Sequence, residues 1–394
     1  MARAPVRIIL AALTWFTCCL QIGLAQNEEP VVYKRPLSEW LATLKGDKTD
    51  KNRRAALIAL GEIGLRSRKV VPAVALALRQ DESATVREAA AQLLGRLAFK
   101  ATDLLQDATG AVRVGLIEDR KQALEALMEA LRADKVAKVR TASGTGLGRL
   151  GPDAAPAVAA LAAALKDKDD TTRAAAAEAL GRIGRDAGEA VPALLDCLKD
   201  KKADRFVRMF AAFALGRTEG DSAVVVPALS ETLADPACPS DVRKAAAEAL
   251  GQIGRSAADS VPILVSALTK EPTKQTVDIR RAAATALDRI HPEAKAVLPD
   301  LKAALKDDDK FVRSQILHLL GRLGNEGADA VPDVIQRLKD DQVLEVRLAA
   351  IEALGALGVN SKEVIEALTA ASRSSVAAVR DAAKEALKKL PPEP

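Results

Sequence analysis

The apolar positions of this chain follow two alternating patterns, both with helical spacing, from about residue 36 to residue 390. In VRKAAAEALGQIG, Val242, Ala246, Leu250 and Ile253 are spaced 4, 4 and 3, which places them on one face of an amphipathic helix. Gly254 supplies the tolerance of positive φ that suits a helix C-cap, and the polar link RSAADS follows. A second helix is expected from Val261-Pro262, since proline is tolerated in a first turn, and Leu264 and Leu268 carry its stripe. The Val-Pro pair returns at Val71-Pro72, Val191-Pro192, Val226-Pro227 and Val331-Pro332.

Each pair of helices is one copy of a repeat. Arg recurs at Arg53, Arg87, Arg140, Arg173, Arg208, Arg243, Arg280, Arg313, Arg347 and Arg380, at intervals of 33 to 37 residues with one exception of 53. Seven residues after each stands Leu, and eight after it stands Gly in eight of the ten copies, Asp288 and Lys388 being the exceptions. Neither helix buries its stripe alone, so the copies must stack. The predicted fold class is all-α, an α-α superhelix or solenoid of about ten two-helix repeats. Aromatic residues make up only 2% of the chain, so the core must be built from Ala, Leu, Val and Ile, which suits closely approaching helices.

The ends and one interruption complete the organisation. Residues 1–25 carry Arg3 and Arg7, then the apolar run IILAALTWFTCCLQIGLA ending in small residues, the pattern of a signal peptide cleaved near Ala25. Cleavage predicts an exported chain, periplasmic or secreted; the alternative is a membrane anchor over residues 8–25. Cys18-Cys19 follow Trp-Phe-Thr rather than the small residues of a lipidation signal. Residues 26–35 read as a short linker, PLSEWLATLKGDK as a lone second-type helix capped by Ser38, and 391–394 as a Pro-rich tail. The 53-residue interval places an insertion at 100–119, either a loop on one face or a decayed partial repeat in which Asp107 and Val112-Arg113 echo the usual spacing.

The recurring VRxxAAxALGxIG…AVPxLxxxLKD resembles a HEAT repeat, of the short subtype first recognised in bilin-lyase subunits, across residues 36–390. The opening YKRPLSEWL resembles the lead-in of bacterial exported HEAT-repeat proteins. The resemblance implies a superhelix whose inner surface, lined by second helices, binds other proteins. Asp196, Glu231, Ser266 and Gln336 share one phase of the second helix and are the candidate partner-binding positions there. The same resemblance brings in a bilin-lyase-like subunit or a HEAT-type hydroxylase as enzyme alternatives, and an envelope-associated structural protein as a third.

Candidate chemistry narrows these readings. The repeated glycines lie at the end of a helix, where the dipole repels anions, so they do not form a phosphate loop. Hydroxylases of this fold carry repeated His-Glu pairs for two irons; the only histidines here are His291 and His318, and neither is followed by Glu. No Cys or His cluster has metal-ligand spacing, no nucleophile stands with a base, and no cofactor or catalytic residue is assigned. After loss of Arg3 and Arg7, 56 basic residues face 53 acidic ones, and the charges are interleaved. A nucleic-acid partner is therefore not expected, and a membrane partner only if the signal stays uncleaved. The ten arginines form either a ladder for an acidic partner or a structural ladder. Asp81, Asp134, Asp167, Asp200, Asp235, Asp307 and Asp341 precede seven of them by six to eight residues, within the same copy, which favours a structural ladder of exposed pairs. Cys197 and Cys238 read as buried or idle thiols.

Overall fold

The computed structural model describes residues 29–270 and 273–391. The expected signal at 1–25 and most of the Pro-rich tail lie outside them. The chain divides into two compact units, Met1–Ala164 and Leu165–Pro394.

Both units are stacks of helix pairs. In the first, first-type helices Asp50–Ile63, Ala84–Leu104 and Ala137–Arg149 alternate with second-type helices Leu37–Gly46, Val70–Gln80, Gly110–Ala133 and Val158–Ala164. In the second, first-type helices Asp170–Ile183, Arg205–Leu215, Ser240–Ile253, Val277–Ile290, Lys310–Arg322, Leu344–Leu357 and Ala377–Lys389 alternate with Val191–Lys199, Ser222–Ala234, Val261–Thr269, Ala294–Ala304, Val331–Asp340 and Lys362–Ala371. The aliphatic stripes meet between them. Leu60, Leu94, Leu147, Leu180, Leu250 and Leu287 are fully buried, each contributing roughly 1.5–3 kcal/mol through the apolar surface removed from water. Leu387, in the last repeat, is only half-buried because nothing stacks beyond it among the described residues.

Two glycines in one copy do different work. A Cβ on Gly251 would lie 2.8 Å from the Ala286 Cα, so its absence sets how closely helices Ser240–Ile253 and Val277–Ile290 approach. Gly254 ends the helix at φ 69° and starts a 3-10 turn, Gly254–Ser260, which leads into Val261. His291 takes the equivalent cap place in the next copy with φ 56°, a left-handed conformation uncommon for a residue with a Cβ.

Four local features differ from expectation. Residues 31–36 are not an open linker but a small antiparallel hairpin, Val31–Val32 paired with Arg35–Pro36, turning through Tyr33 and Lys34, both at positive φ. Trp40 holds it by donating from Nε1 to the Val32 carbonyl at 3.0 Å, with the Arg35 guanidinium 4.1 Å above its ring. Ser38 is not the N-cap. The helix starts at Leu37, and the Glu29 carboxylate accepts from both the Ser38 amide and its hydroxyl. Pro227 lies inside its helix rather than in the first turn, because Asp221 caps Ser222–Ala234 early by accepting from the Ala223 amide at 3.0 Å.

The fourth is the insertion. Residues 100–119 make neither a face loop nor a partial repeat; they lengthen both helices of one copy, to 21 residues in Ala84–Leu104 and 24 in Gly110–Ala133. Ala101, Leu105 and Leu116 form a small satellite core there, with Leu65 and Ala108 against it. Continuous helix satisfies the backbone that an extra loop would leave to solvent.

Candidate functional site

The arginine ladder is built from the turn between copies. Asp81, Asp134, Asp307 and Asp341 each accept from the amide two residues on, at 2.8–3.0 Å, closing an Asx turn. The carbonyl six residues before the Arg accepts from its Nη1, as Asp47 does for Arg53, Asp81 for Arg87, Asp134 for Arg140, Asp167 for Arg173, Asp307 for Arg313, Asp341 for Arg347 and Ser374 for Arg380.

The carboxylate partner corrects the sequence reading. Arg53 reaches Asp81, Arg87 reaches Asp134, Arg280 reaches Asp307 and Arg313 reaches Asp341, each through Nε at 2.7 Å and Nη2 at 2.8–3.1 Å. Those acids belong to the next copy, not to the Arg's own. The own-copy aspartate contributes only its carbonyl, because the turn directs its carboxylate back toward the preceding repeat. Nor are these pairs exposed: side-chain exposure is 3% and 4% for Arg280 and Asp307. For Asp341, burial pushes the carboxyl upward, but bonds from Arg313 and the Val343 amide outweigh it and hold the group below its ordinary range; Asp134 behaves alike with Arg87 and Val136. Arg208 and Arg243 depart from the pattern, sending Nε to the Leu198 and Leu233 carbonyls at 3.0 and 2.9 Å.

The candidate partner positions lie on the second helices of the second unit. Asp196, Glu231 and Gln336 are exposed and Ser266 is half-buried. No side chain of the four makes a hydrogen bond or ion pair among the described residues. One turn earlier, Pro192, Pro227, Pro262 and Pro332 are also exposed. The face is thus a row of prolines beside a row of chemically varied side chains.

The lengthened hairpin adds apolar surface in the first unit. Phe99, Leu104, Val112, Val114 and Ile117 are 42–67% exposed. Beneath them Asp119 is buried, with Arg68 Nε 3.4 Å from Oδ1, and burial pushes its carboxyl up. Sequence spacing located this insertion but not its side-chain exposure.

Reactive chemistry is sparse. No group of three or more His, Cys, Asp or Glu that could hold a metal exists among the described residues. Cys197 is half-buried and Cys238 buried, and desolvation raises both thiols above their ordinary range, favouring the unreactive protonated form. His318 is exposed, its Nδ1 3.8 Å from Glu352 of the following copy. No helix among the described residues is long and apolar enough to cross a membrane.

Stacked two-helix copies with buried leucine stripes and an arginine ladder between successive turns define an α-solenoid protein. The profile of the HEAT-repeat family matches residues 37–124, 124–208, 201–277, 273–355 and 327–388, so the chain belongs to the HEAT repeats. No curated protein matches its sequence. Among solved structures, importin β is similar with a TM-score of 0.60 and 18% identity over 99% of this chain, which spans 53% of importin β. An engineered protein matches at 0.54 with 20% identity, over 90% of this chain and 98% of its own. Kap95p, in a structure with RanGDP, matches at 0.52 with 16% identity, over 90% of this chain and 45% of its own. At these identities the likeness is one of fold.

Proposed function

We propose that the chain is an exported, non-catalytic scaffold that holds a partner protein along the face built by its second helices, the inner surface of a HEAT superhelix. The observation that carries the reading is the division of labour within each copy. Positions that pack repeat as Leu and Ala, whereas the outward phase at Asp196, Glu231, Ser266 and Gln336 changes chemistry from copy to copy and has no intramolecular partner among the described residues. A surface that varies on an invariant frame suits recognition rather than turnover. Kap95p, of the same fold, is seen with RanGDP and with Nup1, which supports a protein as the partner class. The exposed apolar hairpin at 99–117 is a second contact.

Site-specific photocrosslinking tests the face. A photoreactive residue at Glu231 or Gln336 should give an adduct of one partner in producing cells, and one at Gln92, on a first helix of the first unit, should not; equal yields from all three positions reject the assignment. Export is read separately by N-terminal sequencing of the extracytoplasmic protein, expected to start at Gln26. A full-length chain in the membrane fraction would show the anchor instead.

A further inference from the structure

We propose that Arg347 and the turn at Ser374 form a binding site for one carboxylate group supplied from outside the fold, at the place where the arginine ladder lacks its aspartate. Elsewhere the ladder is closed by the chain itself. Arg53, Arg87, Arg280 and Arg313 each present Nε and Nη2 to the aspartate of the following copy, with every Nε 2.7 Å from its acceptor. Arg347 is the next rung after Arg313. No aspartate follows it: Ser374 stands six residues before Arg380, where Asp307 and Asp341 stand before Arg313 and Arg347.

The rest of the rung is built. Arg347 donates from Nη1 to the Asp341 carbonyl at 3.1 Å, the counterpart of the 2.8 Å bond from Arg313 to the Asp307 carbonyl, so its guanidinium is held in the same register. The Ser374 hydroxyl accepts from the Val376 amide at 3.2 Å, as Asp341 Oδ1 does from the Val343 amide at 3.0 Å. Serine therefore supplies the oxygen that closes the turn. The second oxygen, Oδ2, which takes the Nε bond in the four closed rungs, has no counterpart. Arg347 Nε and Nη2 accordingly make no hydrogen bond among the described residues. Arg208 and Arg243 turn Nε to the Leu198 and Leu233 carbonyls, and Arg347 does not.

Charge around the turn selects the ligand. Arg373 precedes Ser374, and Arg380 donates from Nη1 to the Ser374 carbonyl at 3.0 Å. Neither Arg347 nor Arg373 has a carboxylate within 4.0 Å among the described residues. The acids of this region are otherwise placed: Asp341 is held by Arg313 and lies 3.7 Å from Arg337, Glu345 lies 3.6 Å from Lys310, and exposed Asp340 pairs with none of the three arginines. Only Asp381 approaches them, 4.0 Å from Arg380 Nε. Arg347 and Ser374 are both half-buried, so the fork is reachable from solvent yet partly desolvated. A planar guanidinium edge grips a carboxylate through two parallel charge-assisted bonds. The site lies in the turn between copies, off the second-helix face, and stands independently of the reading given for that face.

Thermal melts of the whole chain in sodium acetate, against sodium chloride of equal ionic strength, test the site. Three variants accompany wild type: Ser374→Asp, which supplies the second oxygen from within the chain, Arg347→Met, which removes the fork, and the two combined. Wild type should melt higher in acetate than in chloride, and that difference should be lost in both single variants. In chloride, Ser374→Asp should melt about 2–4 °C above wild type. That gain should vanish when Arg347 is replaced as well. A gain that survives in the double variant comes from the turn alone and overturns the proposal. So does an acetate effect that is absent from wild type or equal in all four proteins. Should Arg347→Met fail to fold, an acetate effect persisting in Ser374→Asp overturns it equally. Stabilisation by phosphate but not by acetate assigns the turn to a tetrahedral anion and also overturns it. The source of the carboxylate is read with a blocked Gly-Gly-Asp-Gly-Gly peptide. A half-maximal shift at a concentration at least roughly tenfold below that of acetate assigns the site to an acidic side chain of a partner protein, and equal concentrations assign it to a small free carboxylate.

Discussion

Arg280→Met should be among the most damaging single changes outside the aliphatic core. Its guanidinium holds Asp307 through bonds of 2.7 and 3.1 Å and donates from Nη1 to the Thr273 carbonyl at 2.6 Å, in a site where both side chains are nearly inaccessible. Methionine keeps most of the packed stem but leaves the Asp307 carboxylate with only the Asp309 amide at 2.8 Å. Stranding one charge of a buried pair costs about 3–5 kcal/mol. That is a large share of the roughly 5–15 kcal/mol that stabilises a typical domain. Since a solenoid's stability is a sum of repeat and interface contributions, the loss should open the stack locally. Urea unfolding followed by circular dichroism measures the total, and hydrogen exchange at Val277–Ile290 and Lys310–Arg322 locates it. Arg185→Ala is the control: its pair with Glu219 is as short, 2.8 Å, but 79% and 65% exposed, and should contribute less than about 1 kcal/mol. Arg280→Met/Asp307→Asn should recover part of the loss, because no charge stays buried while an oxygen still accepts from Asp309. A cost for Arg280→Met no greater than for Arg185→Ala, or a double variant no better than the single, would refute the reasoning.

Two further predictions separate other contributions. Gly251→Ala should cost more than Gly254→Ala: the first forces a Cβ to 2.8 Å from a backbone atom, at about 1–3 kcal/mol, while the second meets nothing closer than 3.9 Å and strains only its own φ of 69°, at about 1 kcal/mol. The reverse order of urea midpoints would place the constraint in the cap rather than in the helix contact. Asp119→Asn should stabilise the fold at neutral pH, because burial raises this carboxyl and the folded state disfavours its charge. A raised folded pKa means that wild-type stability rises, relative to the variant, as pH falls through that value toward the unfolded value of about 3.9. Melting temperatures of the two proteins from pH 7 to 4 should therefore converge; a variant less stable throughout would show that the Arg68 contact outweighs desolvation.

Much of the fold was legible because a repeat restates its own rule. The spacing of Val242, Ala246, Leu250 and Ile253 identifies a buried stripe, and ten arginines in register leave little choice but stacked helix pairs. These are local properties of helices, set by 3.6 residues per turn and visible along one copy. What the chain alone did not disclose lies between copies. The aspartates lie six to eight residues before the arginines in sequence, yet Asp307 serves Arg280 rather than Arg313 with its carboxylate, because an Asx turn points that group across the stack. Residues 100–119 broke the period, but only packing at Leu105 and Leu116 made them an extension of two helices. Phe213 and Phe311 stand far apart in sequence, on the first helices Arg205–Leu215 and Lys310–Arg322. Stacking places them on either side of a shallow groove floored by Ala245, Ala249, Ala282 and Ala286. Sequence by itself therefore determined the helices, their buried stripes and the need to stack. Tertiary structure decided the pairing of the charges and the shape of the surfaces, since both depend on side chains contributed by different copies, whose relative placement no single copy encodes.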